Sequence, residues 1–312
     1  METVTGGAPL PAALRGGVVA LGNFDGLHAG HQAVLGRARA LARARGVPAL
    51  VASFAPHPAR LFKPELPPFR LTDDVQWARL AAGLGMDGAV LIPFDRALAG
   101  LGAEDFVSDW LVARLGVSGV VTGADFTFGR GREGDVARLA ALGARHGFSA
   151  DVVLAVEDGG GVISSTRVRK ALGAADPAGA AALLSRPFTV RAEVVHGAKL
   201  GRQLGFPTAN MRLGDYVRPA YGVYAVWVRL PSGARVMGVA NLGVRPMIEP
   251  PEELLETWLL DFEGDLYGQV LEVELIAYLR PELKLDGLDA LVARVMRDAE
   301  DARAALALSV EP

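Results

Sequence analysis

Apolar positions in the first half of the chain come in short solid runs separated by longer stretches of helical spacing. The runs are Val18–Leu21, Ala49–Phe54, Gly88–Ile92, Gly119–Thr122 and Ala150–Val156, and between them the spacing predicts helices at Gln32–Arg45, Thr72–Leu84, Ala103–Leu115 and Asp135–His146. Short apolar strands alternating with helices predict a parallel sheet with crossover helices, a Rossmann-like α/β fold. After an alanine-rich helical stretch from Ala171 to Ser185, interrupted at Asp176-Pro177, the pattern changes at Arg186-Pro187. Phe188–Val195, Tyr221–Leu230, Ala234–Gly243, Glu256–Phe262 and Gln269–Leu279 are β-type segments with Gly/Pro turns at short intervals, and Leu288–Leu308 is helical. This half predicts a closed antiparallel β-barrel with a terminal helix. The expected domains are 1–186 and 187–312, and 312 residues suffice for two cores.

Composition narrows the chemistry. The net charge of −3 gives no bulk attraction to nucleic acid, so a polyanionic ligand must be met by local groups. With no cysteine, disulfides, thiolate metal sites and cysteine nucleophiles are excluded, which suits a reducing compartment. Met1 to Arg15 carries no basic segment followed by an apolar core, and no run of about 18 apolar residues occurs. The expectation is a cytoplasmic protein without a membrane partner. Lysine stands only at 63, 170, 199 and 284, so 28 of the 32 basic residues are arginine.

Loops at the carboxyl ends of parallel strands are where ligands bind in such a sheet, and here those loops hold the unusual letters. Gly22-Asn23-Phe24-Asp25-Gly26-Leu27-His28-Ala29-Gly30-His31 joins the first strand to the first helix. A strand, a glycine-bearing turn and a helix start together form an anion-binding unit. His28 and His31, spaced i, i+3, share a helix face and can stabilise charge on one phosphate. The same letters also describe a polar turn with two surface histidines, or a metal pair completed by Asp25. Later loops are Phe54-Ala55-Pro56-His57-Pro58, Gly123-Ala124-Asp125-Phe126-Thr127-Phe128-Gly129 with Arg130 and Arg132 beyond it, and Ile163-Ser164-Ser165-Thr166-Arg167-Val168-Arg169. Two aromatics among glycines and arginines can stack a flat ring, and three hydroxyls opening a helix can cap it or meet phosphate. His57 lines a site or merely sits in a rigid turn.

The second half carries Gly197-Ala198-Lys199-Leu200-Gly201-Arg202-Gln203-Leu204-Gly205-Phe206-Pro207-Thr208-Ala209-Asn210. Its glycines permit close backbone approach to an anion, Lys199 and Arg202 add charge, and Thr208 with Asn210 offers hard oxygen ligands for Mg²⁺. A plain glycine-rich hairpin would read the same way.

Together these segments resemble a known family. His28-Ala29-Gly30-His31 is similar to the signature of HxGH nucleotidylyltransferases, and Gly22 to His31 resembles their bacterial FAD-synthetase branch. With the three later loops in order, residues 16 to 186 resemble the adenylyltransferase module of bacterial bifunctional riboflavin kinase/FMN adenylyltransferases. Gly197–Asn210, Pro219–Tyr224, Gly238–Pro246 and Glu256–Gly268 resemble its kinase module over 187 to 300. The resemblance implies phosphorylation of riboflavin to FMN and adenylylation of FMN to FAD, with Mg²⁺ accompanying ATP. It implies roles at ATP phosphates for His28 and His31, at the nucleotide for Gly22, Asn23, Asp25, Ser164, Ser165, Thr166 and Arg169, and at the flavin for Phe54, Asp125, Phe126 and Phe128. In the kinase it implies ATP contacts at Gly197, Lys199 and Gly201, metal binding by Thr208 and Asn210, and Glu256, opening its strand, as general base. The implied partners are the small molecules ATP, riboflavin, FMN and FAD, with self-association left open. Met247 and Leu285 depart from the family's usual threonine and phenylalanine on the flavin side. Competing readings are a transferase for another phosphate with a decayed second half, and a flavin-sensing or nucleic-acid-binding protein on the same scaffold. The retained Thr208, Asn210 and Glu256 argue against decay, and the retained histidines with no added basic segment argue against the binding protein.

Overall fold

The structure is a computed structural model and describes residues 1–197, 201, 204–245, 252–284 and 286–309. Lys199, Arg202, Met247 and Leu285 lie outside the described residues. The chain divides into two compact units, one formed by Met1–Leu66 with Asp74–Ser164, the other by Pro67–Asp73 with Ser165–Pro312.

In the first unit the strands are β1 (Glu2–Thr5), β2 (Val18–Leu21), β3 (Ala49–Ala55), β4 (Gly88–Pro93), β5 (Gly119–Gly123) and β6 (Ser149–Val153). They form one parallel sheet in the order β1-β4-β3-β2-β5-β6. The helices are α1 (Ala29–Arg45), α2 (Pro58–Phe62), α3 (Asp74–Gly83), α4 (Arg96–Ala99), α5 (Ala103–Asp105, continued by a π-helical run Phe106–Arg114) and α6 (Val136–His146). Alternation along β2 explains its solid apolar run. Val18 and Ala20 belong to the core shared with α1 and α3, Val19 and Leu21 to the core on the other face with Val107, Leu111 and Leu139. A strand buried on both sides needs apolar residues at every position. Arg37 on α1 reaches Asp151 on β6 through two hydrogen bonds, at 3.2 and 2.7 Å, and this guanidinium holds the Asp151 carboxyl below the usual carboxylate range.

Past β6, where the sequence predicts strand as far as Val156, the chain forms a two-stranded hairpin, β7 (Glu157–Asp158) with β8 (Gly161–Val162). The unpredicted β1 buries one residue of four, so it has no apolar run to read.

The second unit opens with α7 (Ser165–Gly173) and α8 (Pro177–Leu184). Asp176 caps α8 by accepting from Gly179 N at 2.7 Å, and Pro177 occupies the first turn, where its missing N–H costs nothing. The strands β9 (Phe188–Val195), β10 (Thr208–Met211), β11 (Gly222–Arg229), β12 (Arg235–Arg245), β13 (Glu252–Leu259) and β14 (Val270–Arg280) close a barrel in the order β10-β13-β12-β11-β14-β9, the last pairing with β10. Every pairing is antiparallel. Since β13 begins at Glu252, Glu256 stands mid-strand and does not open it, because Glu252 and Glu253 still pair with Arg245 and Val244. Pro67–Asp73 is pinned to this unit: Arg70 N donates to Asp215 O at 2.9 Å, Val217 N donates to Arg70 O at 2.8 Å, and Arg191 meets Asp73 at 3.1 Å.

The terminal helix α9 (Leu288–Leu308) packs Ala299, Ala302 and Leu306 on Val223, Ala225, Trp227 and Val239 of the barrel's outer face. Its Asp298 is 2% exposed and takes two bonds from Arg280, at 2.9 and 2.6 Å, and one from Arg294 at 2.9 Å. Removing one member of a buried ion network strands the other charges. Asp298→Ala is therefore expected to lower the unfolding free energy by about 3–5 kcal/mol. Asp301→Ala, whose carboxylate is largely exposed, should stay within about 0.5 kcal/mol of the parent. Urea titration of both variants checks the contrast.

Candidate functional site

The turn after β2 is held in an uncommon backbone. Phe24, Gly26 and Leu27 have φ of 43, 86 and 44°, and burial of Phe24 and Leu27, 2% and 1% exposed, fixes the two that are not glycine. His28 then caps α1, its Nδ1 accepting from His31 N at 3.4 Å. Because Nδ1 accepts, neutral His28 carries its proton on Nε2. The His28 and His31 rings stack at 3.6 Å and 23°, and Phe24 meets His31 edge-on at 5.3 Å. Gly30 permits this, since a Cβ there would lie 3.1 Å from His28 Cε1. The i, i+3 spacing thus yields two stacked imidazoles at a helix start, not two solvated ones.

A cleft of about 1240 Å³ opens at the carboxyl ends of the strands. That exceeds the roughly 300–1,000 Å³ of a site for one small ligand. Gly22, Asn23 and His31 contribute to one part of its wall, and Phe54, Asp125, Phe126, Phe128 and Ser164 also line it. Asp25 and His28, each 6% exposed, are buried and are not part of the wall. Phe126 and Phe128 lie parallel at 5.7 Å, and Phe54 packs edge-on against Phe94 at 5.6 Å. Phe62, Phe94 and Phe106 complete an aromatic wall, and the signal for it in the sequence is Phe94, directly after β4 at the carboxyl end of the sheet. Lys63, Arg130 and Arg132 add positive charge. His57 satisfies both of its readings, capping α2 by accepting from Ala59 N at 3.2 Å and lining the cleft.

In the second unit Ser165, Thr166 and Arg169 fall in the first turns of α7. Arg169 donates from Nε to Phe69 O at 2.7 Å and lies 5.4 Å from the Phe69 ring centre.

The barrel carries a separate constellation on its outer face. Register sets Thr208 across from Trp258 and Asn210 across from Glu256, and the next strand continues the row with Asn241 across from Glu256. The intervening Leu255, Thr257 and Leu259 point inward, 1%, 0% and 5% exposed. Gly197 lies against Asn210, where a Cβ would be 2.5 Å from Nδ2, and Gly201 lies against Phe206, whose N–H donates to Gly201 O at 2.8 Å. Asn210 Nδ2 donates to Thr208 O at 3.3 Å, leaving the amide oxygen as the group for a cation. Among the described residues no group of three or more His, Asp or Glu forms a cation cage. The donor set of one hydroxyl and one amide oxygen therefore fits a hard divalent ion that arrives with a nucleotide's phosphates.

Each half of the chain has its own match among known proteins. The family model for FAD synthetase matches residues 10–167, and the model for riboflavin kinase matches residues 184–306. A bifunctional riboflavin kinase/FMN adenylyltransferase of Escherichia coli K12 is 42% identical over 92% of each chain. One of Pseudomonas fluorescens is 44% identical over 99% of each. A solved structure described as a macrolide-efflux protein from Streptococcus pneumoniae is 29% identical, with a TM-score of 0.87 over 97% of this chain and 99% of that one. Among the described residues no helix is long and apolar enough to cross a membrane. By its two matched modules and its near full-length relatives, the chain belongs to the bifunctional riboflavin kinase/FMN adenylyltransferase family.

Proposed function

We propose that the chain makes FAD in two steps at two separate sites, phosphorylating riboflavin on the barrel and adenylylating the resulting FMN in the parallel-sheet unit. The enzyme is a riboflavin kinase and FMN adenylyltransferase. The assignment of sites is supported by two separate groups of polar and charged residues, Gly22 to His31 and Gly197 to Glu256, each inside the stretch that matches the corresponding module. The functional boundary is proposed near Arg186-Pro187, just inside the start of the stretch that matches riboflavin kinase.

In the kinase reaction Glu256 takes the proton of the riboflavin 5′-hydroxyl as its oxygen attacks the γ-phosphorus of ATP. Phosphoryl transfer depends on positioning and charge stabilisation more than on covalent chemistry. Gly197, Lys199 and Gly201 are assigned to the ATP phosphates. ATP-using enzymes of these kinds need a divalent metal, which we take to be Mg²⁺ entering with ATP; Thr208 and Asn210 would hold it, and it would supply charge neutralisation at the transferring group.

In the adenylylation the FMN phosphate attacks the α-phosphorus of a second ATP and pyrophosphate leaves. A phosphate monoester has a second pKa of about 6, so at neutral pH it needs no base. What remains is stabilisation of developing charge, which the Nε2 donor of His28, His31 and the α1 N-terminus supply. Gly22, Asn23, Asp25, Ser164, Ser165, Thr166 and Arg169 are assigned to the nucleotide. Phe54, Asp125, Phe126 and Phe128 are assigned to the flavin, whose flat ring suits stacked and edge-on phenyl groups. The partners are ATP, riboflavin, FMN and FAD, without nucleic acid or membrane, and the proposed compartment is the cytoplasm.

Loss of one preorganised donor typically costs about 10²–10³-fold in turnover. His31→Ala and His28→Ala should each reduce FMN adenylylation by that order while riboflavin phosphorylation is unchanged; His28→Ala also forfeits about 1 kcal/mol of stability with its cap. Following FAD by chromatography decides it, and adenylylation within twofold of the parent in the folded double variant would return both residues to a structural role. Glu256→Gln should slow FMN formation by about 10²–10⁴-fold and spare conversion of supplied FMN. Chelation with EDTA should stop both reactions and added Mg²⁺ restore them. In Thr208→Ala and Asn210→Ala, excess Mg²⁺ should recover part of the kinase rate alone.

A further inference from the structure

One polar side chain in the row on the barrel's outer face has no part in the chemistry above. Asn241 of β12 stands directly across from Glu256 on one side and from Val223 of β11 on the other. Directly opposed residues of antiparallel strands share a face, with Cβ atoms about 4.5–5.5 Å apart. The chain neighbours of Asn241 point into the barrel, Ala240 at 0% and Leu242 at 1% exposure. Glu256 is thus the polar group directly across from Asn241. The Asn241 Oδ1 is buried and receives no hydrogen bond among the described residues. An acceptor buried without a donor costs stability, and an apolar residue of similar shape would avoid that cost.

The cost has a reason in the reaction. An ionised carboxylate only accepts, so Glu256 in its resting form has nothing to give Oδ1. Once it has taken a proton it carries an O–H donor. We propose that Asn241 is a positioning residue for the kinase reaction, its Oδ1 accepting a hydrogen bond from Glu256 after the proton of the riboflavin 5′-hydroxyl has moved there. In that step the bond from the 5′-oxygen to the γ-phosphorus forms, and the bond from that phosphorus to the oxygen bridging to the β-phosphorus breaks. ADP departs with that electron pair, and the proton passes from the 5′-hydroxyl to Glu256 and afterwards to solvent. A contact made only after the proton has reached Glu256 favours the protonated carboxyl that the transfer produces and is absent when riboflavin binds, and so acts on kcat more than on KM. Of the other charged groups on this face, Arg280 stands across from Val223 and is held by Asp298, and Glu282 packs on Gly243, two residues beyond Asn241. Neither is directly across from Asn241.

The inference rests on Glu256 as the base, and the test separates the two. Valine and threonine have nearly the same shape at position 241 and differ by one oxygen. In the full chain, Asn241→Val should match or exceed the parent in melting temperature, lose about tenfold or more in kcat for riboflavin phosphorylation, hold KM for riboflavin within about threefold and leave FMN adenylylation intact. Asn241→Thr, which restores an acceptor, should recover part of the kcat. In the Glu256→Gln background the valine substitution should cost less than twofold, because there is no transferred proton to receive. A valine variant within twofold of the parent kcat, a loss of stability in that variant, no recovery by threonine, or an equal defect in the Glu256→Gln background would each overturn the role. Near-normal turnover by Glu256→Gln alone would instead remove the base, and the role of Asn241 with it.

Discussion

Strand alternation is the constraint on which both halves of this molecule depend. Along β13 it sends Leu255, Thr257 and Leu259 into the barrel and leaves Glu256 outside, in line with Asn210 and Asn241. A slip of one residue would bury the carboxylate among leucines and turn Thr257 outward. The inner leucines therefore enforce the register, and the outer row inherits its geometry from packing in which it takes no part. In the first unit the same rule divides β2 between two cores, which keeps the strand from shifting and fixes where the turn toward His28 begins.

Much of this was legible because it follows from burial. Val18–Leu21 and Leu288–Leu308 are read to the residue, the first as a solid apolar run with turns on both sides, the second from helical spacing after a glycine. The segments that escaped lack that signal. Glu2–Thr5 buries one side chain, and Thr208–Met211 carries polar letters that read as ligands before they read as a strand. Glu256 was legible as a residue but not as a position, because the strand extends upstream of the β-type segment read from Glu256, and Glu252 and Glu253 pair in its ladder.

The candidate sites were legible as letters and not as assemblies. Nothing in His-Ala-Gly-His states that one imidazole caps the helix and lies flat on the other, an outcome that depends on a missing Cβ at Gly30. The aromatic wall draws Phe54, Phe94, Phe106 and Phe128 from separate stretches, and only the sheet order brings their loops together. Asn241 was invisible for a related reason: its neighbours across the sheet lie 15 and 18 residues away in sequence, and only pairing identifies them.

The short segment Pro67–Asp73 bears on how such a chain can be divided. Because it folds with the second unit while its flanks belong to the first, the polypeptide passes between units three times. No single cut separates them. A fragment containing only the barrel and its helices would leave the carbonyl of Asp215 and the N–H of Val217 without Arg70, and Arg191 without Asp73. The two catalysts are therefore interlaced along the gene, not joined end to end. A lineage that split them into separate proteins would first have to replace those backbone contacts, so the connectivity itself favours inheriting both activities as one chain.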